Sequence, residues 1–246
     1  MTSPVAFVQV ALDPSIIKGV YHGCDQWCMY CPVTQRCLAY RCSPEIRSGK
    51  HDIYSSLADR LYEGLAFLKA QSKAEGQSTV ELDAMLANDP RKQAHLIQLD
   101  DPIERMGRRY GRVSIAYLSS RPDYPFDLNP RPTGPTPIEV FAWFHRLVPA
   151  KVYRALLSAA NAARGDASAA DDARISAKVA LIGIDRSLDA LEAMAADEDD
   201  PRFELLQMQL RRLRRELEGR FPDARGCIRP GLDVPAEHDA LRSRLP

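Results

Sequence analysis

Five of the six cysteines in this 246-residue chain lie within nineteen residues, at Cys24, Cys28, Cys31, Cys37 and Cys42. Between Cys28 and Cys31 is a Cys-x2-Cys turn, which aims two thiolates at one ion and brings backbone N–H groups close to the sulfurs. Thiolates held this close without a metal repel one another and oxidise readily. We therefore expect these five cysteines to bind a metal ion or a metal cluster.

Two kinds of metal site fit this spacing, and the sequence leaves both open. Cys24, Cys28 and Cys31, together with Cys37 or Cys42, are suited to a [4Fe–4S] cluster, because a cubane accepts irregular spacing from one continuous loop. The set that begins at Cys28 and omits Cys24 is suited to one tetrahedral Zn²⁺ ion. Of the two, the iron–sulfur cluster is our leading expectation and zinc is the alternative.

Aromatic residues among the cysteines favour an iron–sulfur cluster over zinc. Trp27, Tyr30 and Tyr40 would shield a cluster from water, and Pro32 follows a cysteine as in ferredoxin-like loops. A cluster would give the protein an electron-transfer, redox-sensing or enzyme-accessory role. Zinc would instead stabilise a helical module that binds another protein. Both alternatives imply a protein partner.

The first part of the motif, Gly23-Cys24-x3-Cys28-x-Tyr30-Cys31, resembles the cluster-binding loop of the radical-SAM enzymes, over about ten residues. The resemblance implies that the three cysteines hold three irons and that a fourth iron is open to S-adenosylmethionine. It also implies a partial barrel of alternating strands and helices. A radical-SAM-like enzyme is therefore a third hypothesis, and the sequence identifies no catalytic residue.

Charge and composition limit which partners and which cellular compartment we expect for this protein. Lys plus Arg and Asp plus Glu number 33 each, so the chain carries no net charge that would draw it to nucleic acid or to an anionic membrane. The N-terminal residues lack the pattern of a secretory signal. We therefore expect a cytoplasmic protein, where clustered cysteines bind metal more often than they form disulfides. The oligomeric state is not predicted.

After the cysteines, apolar residues recur at three- and four-residue spacing, which is typical of amphipathic helices. The fold class we predict is mainly α, with about six helices in a bundle. We divide the chain into an N-terminal arm and cysteine-rich module (1–50), a helical bundle (51–221) and a proline-rich tail (222–246). Helix starts are expected at Asp101-Pro102, Thr136-Pro137 and Asp200-Pro201, where proline suits the first turn.

Three stretches are expected to depart from regular helix. The apolar run at residues 5–12 favours a short strand, or alternatively an extended arm that lies on the helical body. Six prolines between residues 119 and 137 predict a long extended crossover, and Pro149 should kink or split the fourth helix. Gly107 and Gly111, four residues apart, would permit a close approach between helices.

Four further residues stand out because they are polar or charged within apolar helical stretches. His145 lies on an apolar stripe, and we interpret it as a hydrogen-bonded core histidine. Lys178, Asp185 and Arg186 lie in the most apolar helix, where a buried charge needs a partner. We expect each of these charges to pair locally or with a neighbouring helix.

Overall fold

The structure is a computed structural model that describes residues 4–42, 53–87, 100–122, 124, 133–195 and 200–233, with the backbone alone for 4–6 and 53–62. These residues form eight helices and no strand, which confirms the mainly α prediction. The helices are α1 (Pro4–Ala11), α2 (Leu38–Cys42), α3 (Ile53–Ala74), α4 (Val80–Ala87), α5 (Pro102–Ser119), α6 (Pro137–Ala162), α7 (Ala167–Met194) and α8 (Pro201–Arg220).

The predicted helix starts are confirmed, together with the caps that fix them. Asp101 accepts a hydrogen bond from the N–H of Ile103 at 2.7 Å before α5, and Asp200 caps α8 in the same way. Thr136 and Glu139 form a capping box at the start of α6, with the Thr136 N–H donating to Glu139 Oε2 at 2.7 Å. These side chains satisfy N–H groups that have no partner within the helix.

The chain divides into two compact units. Met1–Tyr21, Cys31–Ile97 and Pro230–Pro246 make up the first unit, and His22–Tyr30 and Gln98–Arg229 make up the second. The domain boundaries that we drew from the sequence at residues 50 and 221 stay predictions.

In the first unit, α1 packs against α3. The strand expected at residues 5–12 and the alternative of an extended arm are both wrong, because Pro4–Ala11 is helical. Pro4 occupies the first helical position, where proline is well tolerated, and a short apolar run does not by itself distinguish helix from strand. The packing of this run on α3 determines its conformation. The Phe7 ring lies so close to Gly64 of α3 that a Cβ added to Gly64 would be 2.8 Å from the ring.

In the second unit, α6 and α7 form an antiparallel pair, with α5 packed on α6 and α8 packed on both α5 and α7. The two helices approach each other closely at Gly183 of α7, where an added Cβ would lie 2.9 Å from Val148 Cγ2 and 3.1 Å from Phe144 Cδ1. The core between these helices includes the fully buried side chains Tyr110, Tyr117, Phe141, Phe144, Leu181, Ile184, Leu206, Leu210 and Leu213.

Helix α6 continues through Pro149, so this proline does not split the helix, and the alternative expectation of a kink stays a prediction. Proline removes one N–H from the hydrogen-bond ladder, but tertiary packing retains the helix. Gly107 and Gly111 of α5 face Pro149, and an added Cβ at Gly111 would be 3.4 Å from its Cγ. The close helix approach expected from these two glycines is therefore confirmed.

The expected crossover between residues 119 and 137 lies largely outside the described residues. Its described part is helical at Ser119 and again from Pro137, and non-helical between them. The first part of the tail packs on the second unit, where Ala224 is fully buried, while residues 234–246 lie outside the described residues. None of the described helices has both the length and the apolar composition needed to cross a membrane.

Candidate functional site

Short turns order the cysteine-rich segment. Cys28 begins a turn of 3-10 helix, Cys28–Tyr30, and Cys31 follows it directly. A second such turn covers Thr34–Arg36, after which Cys37 precedes helix α2. The bend before Cys28 depends on Gln26, whose φ of 61° is unusual for a residue other than glycine. These turns leave most of the segment irregular, as the density of cysteine and proline predicts, but its residues Leu38–Cys42 form the regular helix α2, which that density did not predict.

The cysteines differ in exposure. Cys24, Cys37 and Cys42 are buried, Cys28 and Cys31 are partly buried, and all five are thiols rather than disulfides. Burial raises the pKa of Cys37, and the backbone N–H groups of Tyr40 and Ala39, which bond its sulfur, lower it in part. Hydrogen bonds of this kind also stabilise a thiolate that ligates a metal.

The two compact units divide the five cysteines between them. Cys24 and Cys28 belong to the second unit, and Cys31, Cys37 and Cys42 belong to the first. Within the described part of the chain, no three residues of the types His, Cys, Asp and Glu converge as a preformed metal site. The ligand sets expected from the spacing therefore stay predictions.

Within the second unit, cationic side chains hold the backbone just before Cys24. Lys151 of α6 is only 2% exposed, and its Nζ donates to the His22 carbonyl oxygen at 3.1 Å. Arg229 Nη1 donates to the Gly23 carbonyl oxygen at 3.3 Å. Gly23 has little room for a side chain, because an added Cβ would lie 3.3 Å from both Arg229 and Ile175.

The His22 side chain joins an ion pair between α6 and α7. Arg154 Nη2 donates to Asp172 Oδ1 at 2.6 Å, and Ser158 Oγ donates to Asp172 Oδ2 at 2.6 Å. The same guanidinium nitrogen lies 3.2 Å from His22 Nδ1, which must be the acceptor because arginine has only donors. Burial, followed by the charge of Arg154, lowers the pKa of His22, so the imidazole is neutral at pH 7.

Asp25 and Trp27 make a second attachment of the same loop. Asp25 pairs with Arg186 of α7 at 3.0 Å, and its carbonyl oxygen accepts from Trp143 Nε1 at 3.0 Å. Trp27 stacks on Trp143 with ring centroids 5.1 Å apart, and the Phe144 ring lies nearly perpendicular to Trp27 with centroids 6.0 Å apart. The Trp27 ring is therefore part of the helical core.

Each of the four polar or charged helical residues has at least one partner, but Nε2 of the buried His145 has no hydrogen bond within the described part of the chain. The partner of Arg186 is Asp25 of the loop, and not a residue of a neighbouring helix as expected. His145 is buried, as expected, and its Nδ1 lies 2.6 Å from the Ala142 carbonyl oxygen. Lys178 donates to the Cys227 carbonyl oxygen. Asp185 pairs with Arg214 of α8 and with Arg225 just beyond it, so the expected pairing with a neighbouring helix is confirmed.

The residues that attach the loop to the helices were not predicted from the sequence. Lys151 carried a usable signal, because it interrupts the apolar stripe of Val148 and Val152 with a charge. Asp172, Arg154 and Arg229 carried none, since each pairs across more than a dozen residues of chain. Comparisons with protein-family models, with curated proteins and with solved structures gave no match.

Proposed function

We propose that the protein binds an iron–sulfur cluster of the [4Fe–4S] type and uses it in electron transfer, in redox sensing or in support of a partner enzyme. The ligands would be Cys24, Cys28 and Cys31, with Cys37 or Cys42 as the fourth. The observation that carries the proposal is the density of thiols, five within nineteen residues. Thiolate is the ligand that iron–sulfur clusters use, and disulfides join none of these residues.

The attachment of the loop to the helices supports the proposal. Lys151, Arg229 and Arg186 fix His22, Gly23 and Asp25 respectively. Cys24 lies between these fixed points and is itself buried. A ligand held by a rigid scaffold loses less conformational entropy when it binds a metal than the same residue does in a free loop.

The charges around Cys24 also favour an anionic group. Four cations, Lys151, Arg154, Arg229 and Arg186, contact the residues on either side of Cys24, and two carboxylates, Asp172 and Asp25, partly balance them. Four thiolates give a bound cluster a net negative charge, which nearby cations stabilise.

The first test is metal and sulfide analysis of protein purified without oxygen, together with its absorption spectrum. If the protein binds a [4Fe–4S] cluster, we expect it to be brown and to contain about four iron ions and four labile sulfide ions per chain. About one zinc per chain and no iron would contradict it. Protein that binds neither metal after reconstitution with iron and sulfide would overturn both metal hypotheses.

The ligand assignment is tested with matched cysteine variants. We expect Cys31→Ser to lose stoichiometric metal, because it removes a thiolate shared by both expected ligand sets. Cys227→Ser, the same change at the remaining cysteine, should retain it. Iron content per chain and the visible absorption measure both. Full metal retention in Cys31→Ser would contradict the assignment.

Zinc is the second candidate, and one observation favours it. Trp27 was expected to cover an iron–sulfur cluster, but its ring is packed between Trp143 and Phe144. A structural zinc ion held by Cys28, Cys31, Cys37 and Cys42 needs no aromatic cover. In that case the protein would be a zinc-stabilised helical module that binds a partner protein. The metal analysis distinguishes the two candidates.

A further inference from the structure

A pocket of about 360 Å³ lies where the start of α6 meets the end of α7 in the second unit. Its lining comes from three places in the sequence: the cysteine-rich loop, the start of α6 with the residues before it, and the last turns of α7. The lining residues are Trp27, Pro135, Pro137, Val140, Arg186, Asp189, Ala190 and Ala193. The volume is that of a small organic ligand, equivalent to about twelve water molecules in the liquid.

The walls of this pocket are apolar. Six of the eight lining side chains are tryptophan, proline, valine or alanine. Water against such walls gains few hydrogen bonds, so an apolar group that displaces it is favoured. The two charged side chains, Arg186 and Asp189, lie three residues apart on α7 and therefore on the same side of that helix.

The charge of Arg186 is already matched. Its guanidinium pairs with Asp25 at 3.0 Å and lies over the Phe144 ring at 5.5 Å. Asp189 is exposed and has no ion pair within the described part of the chain. The charges of Arg186, Asp25 and Asp189 therefore sum to minus one.

The end of α7 at the pocket favours a cation as well, and the start of α6 opposes one only weakly. The pocket meets α7 near its C-terminal end, where carbonyl groups carry the negative end of the helix dipole. The opposite end of a helix attracts anions, but at the start of α6 this attraction is weakened. Pro137 has no N–H, and the Glu139 carboxylate already accepts the Thr136 N–H at 2.7 Å.

We propose that this pocket binds a small organic amine, whose apolar body contacts Trp27 and the prolines and whose ammonium group pairs with Asp189. The site uses none of the five clustered cysteines as ligands, and the proposal stands whether the protein binds iron–sulfur, zinc or neither.

Intrinsic fluorescence provides the test, because Trp27 and Trp143 are the two tryptophans of the chain and they stack on each other beside the pocket. We would titrate the purified protein with phenethylamine, a cation at neutral pH. Phenylpropionate, an anion of nearly the same shape, and phenethyl alcohol, a neutral analogue, serve as matched probes. We expect a saturable change with phenethylamine at lower concentration than with either analogue.

Two variants locate the binding. Asp189→Asn should weaken phenethylamine binding about threefold to fivefold, the contribution of one exposed ion pair. Glu192→Gln, which removes a charge from the same helix outside the pocket, should change it little. Ala193→Leu, at an exposed lining position, should block binding while circular dichroism stays the same.

Three results would overturn the proposal. One is the absence of a saturable response to phenethylamine, and another is equal or tighter binding of phenylpropionate. The third is equal weakening by Asp189→Asn and Glu192→Gln, which would indicate general electrostatics rather than a specific pair.

Discussion

At the scale of single residues, the adjacent aspartates Asp171 and Asp172 of α7 contribute unequally to the stability of the fold. Asp172 is half-buried and accepts hydrogen bonds from both Arg154 and Ser158. Asp171, one residue earlier, pairs with Arg174 where both side chains are well exposed. Solvent screens an exposed pair, whereas removal of the carboxylate from a half-buried pair leaves the arginine without a counter-charge.

We therefore predict that Asp172→Ala lowers the free energy of unfolding by about 2 kcal/mol at pH 7. Asp171→Ala is the matched control, because it makes the same change on the same helix, and it should have little effect. Urea unfolding followed by circular dichroism measures both. Equal effects of the two substitutions would show that the Arg154 pair contributes no more than a surface contact.

The destabilisation caused by Asp172→Ala should depend on pH. Burial on its own would raise the pKa of Asp172, but the hydrogen bonds from Arg154 and Ser158 outweigh it and the pKa is lowered. A lowered carboxyl pKa adds stability above the unfolded-state value of about 4, and this stability is lost as pH falls through the folded pKa. The difference between the wild type and Asp172→Ala should therefore shrink below about pH 4.

Chemistry that depends on spacing within a segment could be predicted from the sequence, whereas chemistry that depends on packing could not. The five cysteines were evident because they are near neighbours in the chain. Lys151 interrupts an apolar stripe, but its pairing could not be predicted, because its partner, the His22 carbonyl oxygen, lies 129 residues away. No local pattern specifies such a pair, since it depends on how α6 packs against the loop.

At the scale of elements, helix starts were predictable and helix partners were not. Asp101, Thr136 and Asp200 each cap the turn that follows them, which is a local interaction that the sequence displays directly. The α1 helix was missed because its eight residues are apolar on most sides, and its packing on Gly64 decides its conformation. Pro149 was expected to kink or split α6, and the helix continues through it where Gly107 and Gly111 of α5 leave room for its ring.

The closeness of α6 and α7 depends on Gly183. An added Cβ would lie 2.9 Å from Val148 Cγ2, and Val148 is fully buried and cannot move aside. We predict that Gly183→Ala lowers the free energy of unfolding by about 1 to 2 kcal/mol, because overpacking exceeds the gain in helix propensity.

Gly219→Ala in α8 is the control for this substitution. No atom lies within 4 Å of an added Cβ at Gly219, so only the propensity gain applies. We expect this variant to be more stable by about 0.5 to 1 kcal/mol. Thermal and urea unfolding compare the two variants. A stabilised Gly183→Ala would show that the two helices separate easily.

At the scale of the whole molecule, the second unit combines four helices with the loop His22–Tyr30 in one core. Trp27 of the loop is only 4% exposed and belongs to the same hydrophobic cluster as Leu210 of α8. Periodicity predicted each helix of this cluster, but not that a cysteine-rich loop contributes an aromatic ring to it. A change deep in this core should therefore affect the stability of the whole unit.

Tyr110 of α5 allows this to be tested through pH. Burial raises the pKa of Tyr110 to about 12, above the ordinary value of about 10. Between these values the unfolded chain releases the proton while the folded chain retains it, so stability falls as pH rises. The loss should approach about 2 to 3 kcal/mol by pH 12, since one pKa unit corresponds to about 1.4 kcal/mol.

Tyr110→Phe should remove this part of the alkaline destabilisation. Urea unfolding at pH 8, where tyrosine is neutral in both states, gives the cost of the lost hydroxyl alone, and unfolding at pH 11 adds the ionisation. An equal difference between variant and wild type at the two pH values would show that Tyr110 ionises as readily in the folded core as in the unfolded chain.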